Sequence, residues 1–358
     1  MGELSSRNRR RGLLGSALVI VGLAAAAWCG SGAAKAEDVT VTYASYGGAL
    51  QKAEEPAWLE PFAKANAGIK VAYDITDYAK LKAMVESGNV VWDVVTVAND
   101  FGLDADKALL EPIDCNLVPC ADLQPTRFLT TGYRAAQTTA GLAIGYNKTK
   151  MPAGKVPQGW VDFFDTKTFP GKRVIMMDAS SYPFEQALLG DGVAPDKLYP
   201  LDLDRAIKKL NSLGKDLVLA PSYQGCAELI GVGEAVMGGC WTGRLLDVKE
   251  RGGAPVEVQW NQGIIAPGYY VVPKGAPHKD LAMKLIAYIV SAEHNAALSN
   301  YIGYGPTNIK ALANVKPDVA PRLQSSYLDK SVFVNDVWYD TNRAAVNKRW
   351  AEWTAGLN

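Results

Sequence analysis

Histidine is nearly missing from this chain, with His278 and His294 the only two in 358 residues. His278 follows Pro277 at a helix start and His294 falls on a solvated helix stretch, so a serine or cysteine nucleophile has few bases to draw on. There is no HExxH, no nucleophile elbow and no complete phosphate loop, and Gly231-Val232-Gly233 lacks the third glycine of a dinucleotide fingerprint. These absences weigh against an enzyme, and nothing in the sequence calls for a cofactor. Basic clusters are missing beyond the N-terminus, where Lys and Arg are dispersed, which excludes a nucleic-acid face. Apolar runs long enough to cross a membrane are missing too.

What is present begins with an export signal. Arg7, Arg9, Arg10 and Arg11 precede an apolar run over residues 13–28 that is interrupted by Gly15 and Gly22 and followed by Ala34-Lys35-Ala36. That order reads as a signal peptide over residues 1–36, cleaved after Ala36 to leave a periplasmic chain. Arg10-Arg11-Gly12-Leu13-Leu14 loosely resembles a twin-arginine signal, although an ordinary basic n-region has the same letters. Cys29 leaves with the signal, since Trp28 stands where a lipobox wants a small residue. The formal charge of zero becomes 32 basic against 36 acidic residues after cleavage.

Four cysteines then remain, Cys115, Cys120, Cys226 and Cys240, an even number in an oxidising compartment. Three pairings can be drawn. Cys115 with Cys120 and Cys226 with Cys240 close the shortest loops and are the expected ones. A zinc site is the rival reading, but separations of five and fourteen residues match no common finger and both histidines lie far off.

Alternating strand and helix patterns run along the chain. Residues 39–43, 69–73 and 93–97 read as strands and 54–65 and 78–87 as helices; the third strand ends at Asn99-Asp100. After a strand at 142–146 the pattern restarts, with strands at 173–177, 218–220 and 235–241 and helices at 184–189, 203–213, 227–231 and 244–251. Strands at 256–260 and 269–272 flank a Gly/Pro bend, and helices at 281–291 and 293–300 return the chain to its first half. The fold class is therefore α/β with two lobes, residues 38–143 plus 262–320 and residues 144–261, with residues 321–358 packing on the first lobe. No flexible tether separates them, so crossing strands form the joint, and such a joint bends as a hinge.

Aromatic residues are plentiful, with 9 Trp, 16 Tyr and 8 Phe. Trp58, Trp160, Trp338, Trp350 and Trp353 read as core. Tyr46, Tyr182, Trp241 and Tyr304 differ, because each stands beside Gly, Ser or Pro in a loop after a strand or helix. Ligand crevices of open α/β sheets form at the carboxyl ends of strands, which makes these four site candidates, together with Asn99, Asp100 and Asp178 at two other strand ends.

The order of residues 43–48, "NVVWDVV" ending at Val95, "LAIGYNK" ending at Lys148, "GEAVMGGCWTGR" ending at Arg244, "APGYYVVPKGAPHKD" ending at Asp280 and "IGYGPTN" ending at Asn308 resembles bacterial extracellular solute-binding proteins of the spermidine/putrescine type. The resemblance implies a type II periplasmic-binding-protein fold that closes on a small organic solute and delivers it to an inner-membrane ABC permease, as a monomer. It also implies an aromatic box around the ligand, matched here by Tyr43, Tyr46 and Trp241. The polyamine pattern breaks at Arg244, where such proteins carry an acid or small polar residue, and at Ala266-Pro267-Gly268, where they often carry Trp-x-Asp. A guanidinium in the cleft points instead to a carboxylate, phosphonate or sulfonate on the ligand, although Arg244 in a helix cap or paired with Asp247 or Glu228 is the bland alternative. Two rival functions remain: a ferric-ion receptor using Tyr269-Tyr270, disfavoured because adjacent strand residues point to opposite faces, and a secreted two-lobed enzyme.

Overall fold

A computed structural model describes residues 38–123, 132–250 and 252–357. The expected export segment, its cleavage site and Cys29 lie outside the described residues. Val39, Val41 and Tyr43 alternate with threonines in β1 (Val39–Ser45), and Gly47 and Gly48 take positive φ of 65° and 60° to turn the chain into α1 (Gly48–Glu54). Pro56 and Pro61 have no N–H to donate, and between them the helix widens into a π turn (Glu55–Leu59) before α2 (Glu60–Ala65). β2 (Ile69–Ile75), α3 (Tyr78–Ser87, capped by Asp77) and β3 (Val94–Val97) complete the first α/β unit.

The chain then crosses along β4 (Ala135–Asn147) into a second unit: α4 (Trp160–Phe164), β5 (Arg173–Met176), α5 (Pro183–Gly190), α6 (Leu203–Asn211), β6 (Leu217–Ala220), α7 (Tyr223–Gly231), β7 (Met237–Trp241) and α8 (Thr242–Glu250). It returns along β8 (Val256–Val271) to α9 (Lys279–Ile289), and ends with β9 (Gly305–Pro306), β10 (Val332–Phe333) and α10 (Asp336–Ala355). The sheet is continuous through both halves in the order β2-β1-β3-β8-β4-β7-β5-β6, with β9 on β4 and β10 on β8. β1 pairs in parallel with β2 and β3, and β5 with β6 and β7; β8 is antiparallel to both β3 and β4.

Two main cores flank this joint. The first gathers Trp58, Trp92, Val94, Tyr270 and Ile286, and the second Trp160, Phe163, Leu188, Leu210 and Trp350. Both crossing strands feed both cores: β4 gives Ala135 to the first and Leu142 to the second, and β8 gives Ile265 to the first and Ile264 to the second. Their ladder shifts register at Ala136/Thr138 and Leu142/Ile144, so the joint is irregular where the lobes meet.

Three expectations change. The two strands around a Gly/Pro bend are one strand, β8; Pro267 is tolerated because it pairs only with Thr139 of β4 and has no partner on its other side. The helix at 293–300 shrinks to a 3₁₀ turn (Ala297–Asn300). Finally, the C-terminal helix sits on the second core rather than on the first lobe. The Trp350 indole donates to Met177 O at 2.6 Å and that of Trp353 to Asn211 Oδ1 at 2.8 Å, while Arg349 pairs with Asp204 at 3.0 Å. Burial of these two tryptophans against Phe184 and α6 outweighs the few polar contacts α10 makes with the first lobe.

Both expected disulfides form, Cys115–Cys120 and Cys226–Cys240. The second ties α7 to β7 one residue before Trp241.

Candidate functional site

The ends of β1, β3, β5 and β7 carry the candidate residues into one crevice. From the end of β5, Tyr182 holds a left-handed conformation (φ 56°) and donates its hydroxyl to Asn99 Oδ1, at the end of β3, at 2.5 Å. This bond joins the second lobe to the first. The Tyr182 ring stands edge-on to Trp241 at 6.4 Å, and Trp241 in turn meets Tyr223 at 6.2 Å. Across from them Tyr46, 47% exposed, shares a hydroxyl contact of 3.1 Å with Tyr78, which also accepts from the Ala98 N–H at 2.8 Å and packs on Phe101. Gly47 is held by its positive φ of 65°, and a Cβ there would stand 2.7 Å from the Ile75 Cδ1, which would have to turn aside. Its N–H donates to the Tyr73 hydroxyl and fixes the loop that carries Tyr46.

Charged groups are set among these rings. Asp100 faces Arg343 of α10 at 3.3 Å. Asp178 accepts from the hydroxyls of Ser180 at 2.5 Å and Ser181 at 3.1 Å. Burial, then the charge of Asp178, push the Tyr223 phenol up to about 12, with Tyr304 and Asp100 adding to the effect. Arg244, in the first turn of α8, lies beside Tyr304: burial raises that phenol and the guanidinium pulls it back. The Arg244 guanidinium makes no hydrogen bond or ion pair with any described residue, so neither Asp247 nor Glu228 takes it. Around the same crevice, Asp100 Oδ1, Arg343 Nη2, Trp241 Nε1 and Thr242 Oγ1 are buried without a partner among the described residues. Buried polar atoms are nearly always bonded, so four orphans drawn from three segments make this the candidate ligand site.

Two expected site residues lie elsewhere. Tyr43 is fully buried in the first core, where its hydroxyl donates to Glu54 Oε1 at 2.8 Å and meets those of Tyr270 and Thr96 at 3.1 Å. Tyr269 is also fully buried, with Arg134 3.7 Å over its ring and its hydroxyl donating to Asp336 Oδ2 at 3.0 Å. Strand parity is the cause: Tyr43 turns toward α1 rather than the loop, and Tyr269 and Tyr270 turn to opposite faces into separate networks, which breaks the phenolate pair a ferric site would use. Asn99 reaches the crevice but is already engaged, donating to Asp336 Oδ1 at 2.7 Å while it accepts from Tyr182.

Sequence reasoning missed Tyr78, Tyr223 and Arg343. Tyr223 follows Ser222, the cap of α7, directly after β6, so the strand-end rule that found Trp241 applies to it equally. Arg343 has no such signal, since it lies inside a polar helix.

A profile described as bacterial extracellular solute-binding protein matches residues 57–324. The chain is 31% identical over 350 residues to the gamma-aminobutyric acid-binding protein of Pseudomonas aeruginosa, covering 95% of this chain and 96% of that one. It is 26% identical over 305 residues to the spermidine/putrescine-binding periplasmic protein of Escherichia coli, covering 81% and 84%. A solved GABA receptor superposes with a TM-score of 0.81 at 38% identity, covering 88% of this chain and 97% of the other. Two lobes around crossing strands, an aromatic crevice at the strand ends and these relatives together make the chain a member of the bacterial extracellular solute-binding proteins, the non-enzymatic periplasmic receptors that deliver small solutes to ABC permeases.

Proposed function

We propose that the solute is a small zwitterion carrying one ammonium and one carboxylate, of about the size of γ-aminobutyrate. The observation that carries this reading is the pair of unfilled polar groups in an aromatic crevice: an Arg244 guanidinium with no partner among the described residues, and a buried Asp100 oxygen with none. A guanidinium fork fits a carboxylate with two parallel hydrogen bonds, and a carboxylate oxygen fits an ammonium. Tyr46, Tyr182, Trp241 and Tyr304 then wall the short carbon chain between them. A polyamine would meet Arg244 as a like charge, and no acid takes the place of Trp-x-Asp at Ala266-Pro267-Gly268. The names of the gamma-aminobutyric acid-binding relative and of the GABA receptor structure support the same class.

Closure follows from the site's composition. Its groups come from both sides of β4 and β8, so a ligand touching all of them favours the closed arrangement a permease would recognise. On this reading the lobes comprise residues 38–143 with 262–320 and residues 144–261, and the mature chain starts at Glu37 and works as a monomer. Intact-mass and sedimentation measurements on exported protein check those last two points.

Titration calorimetry against γ-aminobutyrate, other ω-amino acids, putrescine and spermidine tests the ligand class. Binding of an amino acid with little or no diamine binding is expected. Tight putrescine or spermidine binding by the wild-type protein would overturn it.

A further inference from the structure

Arg343 is a residue that neither the sequence pattern nor the ligand reading above assigns. It projects from α10, which is rooted in the second core, toward Asp100 in the loop after β3 of the first lobe. The Tyr339 ring lies 4.6 Å beneath its guanidinium, and Tyr339 is itself pinned by a 2.6 Å hydrogen bond to Glu185. The pair is not a surface ion bridge: Asp100 and Arg343 are each only 19% exposed. Each also keeps one buried polar atom free of any described partner, Oδ1 on the acid and Nη2 on the base. Half of each group is therefore committed across the lobes and half is available.

Charge makes this arrangement selective. Among the four charged side chains named at the crevice, Asp100 and Asp178 are matched by Arg244 and Arg343, so the fixed charge of this set sums to zero. Without Arg343 it would sum to a net negative charge, a setting suited to cations. We propose that Arg343 is the specificity-determining residue of the crevice: by holding one oxygen of Asp100 it balances the fixed charge and reserves the other oxygen for a single ammonium, so that zwitterions are taken and diamines refused. The proposal deepens the zwitterion reading and rests on it for the identity of the preferred ligand. In a closed, poorly hydrated crevice an unmatched charge is screened little, and selection by net charge is correspondingly sharp.

The test is a charge series of similar chain length, putrescine, γ-aminobutyrate and glutarate, titrated calorimetrically into full-length mature protein. Arg343→Gln is expected to weaken γ-aminobutyrate at least tenfold and to strengthen putrescine at least tenfold. Arg343→Lys, which keeps the charge, is expected to hold the putrescine to γ-aminobutyrate ratio within about threefold of wild type, an order-of-magnitude bound. Asp100→Asn shifts the series the other way, toward glutarate, and carries the test if Arg343→Gln does not fold. An unchanged preference in folded Arg343→Gln and in Asp100→Asn overturns the proposal, and so does an equal shift in the Gln and Lys variants, which would mark a structural role. If wild type prefers putrescine, the zwitterion reading fails and the Arg343 proposal, which rests on it, fails with it; if wild type prefers γ-aminobutyrate and the variants do not shift that preference, only the Arg343 proposal fails. A wild-type protein that binds none of the three overturns both.

Discussion

At the scale of single residues, Arg244 and Glu54 make opposite uses of burial. Arg244 has its charge waiting for a partner, so Arg244→Ala should leave the ligand carboxylate unpaired and cost about 2 to 5 kcal/mol of binding, roughly thirtyfold to several thousandfold in Kd. Arg244→Lys should recover little of this, because a point charge does not reproduce the fork. Calorimetric titration of both variants with γ-aminobutyrate reads the loss. Glu54 makes no ion pair with any described residue. It is fully buried and accepts from Tyr43, Ser45, Tyr73 and Gln137, yet burial outweighs these bonds and pushes its carboxyl up to about 7 from an ordinary 4.5. Between those two values the folded chain holds a proton that the unfolded chain has released, so stability falls as pH rises through the window and is level above it. The fall should be roughly 3 kcal/mol. Glu54→Gln should lessen it, with Glu185 and Asp336, whose carboxyls burial also raises, supplying what is left; urea melts at pH 4.5, 6 and 7.5 would show this, and a fall of the same size in the variant would clear Glu54 of the effect.

At the scale of elements, the sequence is most informative where punctuation and period agree. The positions of Tyr46 and Trp241 at strand ends are legible because Gly47-Gly48 and the Thr242-Gly243 step mark the ends of β1 and β7, and strand ends are where crevices form. Tyr43 and Tyr269 face the cores instead: from Tyr43 to Ser45 in β1 and from Tyr269 to Val271 in β8 successive positions are buried on both faces, and there the letters do not say which face a tyrosine takes. Arg343 was illegible for another reason: α10 is polar along much of its length, and only its seating by Trp350 and Trp353 shows which turn faces Asp100. The disulfides were readable from separation alone. Cys226–Cys240 closes fourteen residues around α7 and β7, and its double replacement by serine should lower stability by roughly 3 kcal/mol, against roughly 2 for the five-residue Cys115–Cys120 loop. Denaturant midpoints of the two double variants give the comparison; equal losses would contradict the loop-length argument.

At the scale of the whole molecule, polar contacts cross between the lobes outside the sheet. Tyr182 bonds Asn99, and Asp100 pairs with Arg343. These are contacts that an opening motion about β4 and β8 would break. Small-angle scattering should therefore show a smaller radius of gyration with saturating γ-aminobutyrate than without it, and Tyr182→Phe should shift the unliganded protein toward the larger value. An identical radius in both conditions counts against hinge closure.

The shared sheet also decides when this protein can fold. The first core needs Ile265, Tyr269, Tyr270 and the face of α9, which reach it only after the whole second lobe has been threaded between. An emerging N-terminal segment thus holds strands with no completed core to close on, and the long-range contacts that finish it carry the entropy of a very long loop. Such a chain stays unfolded until nearly all of it is available, so its two lobes are completed together rather than one after the other.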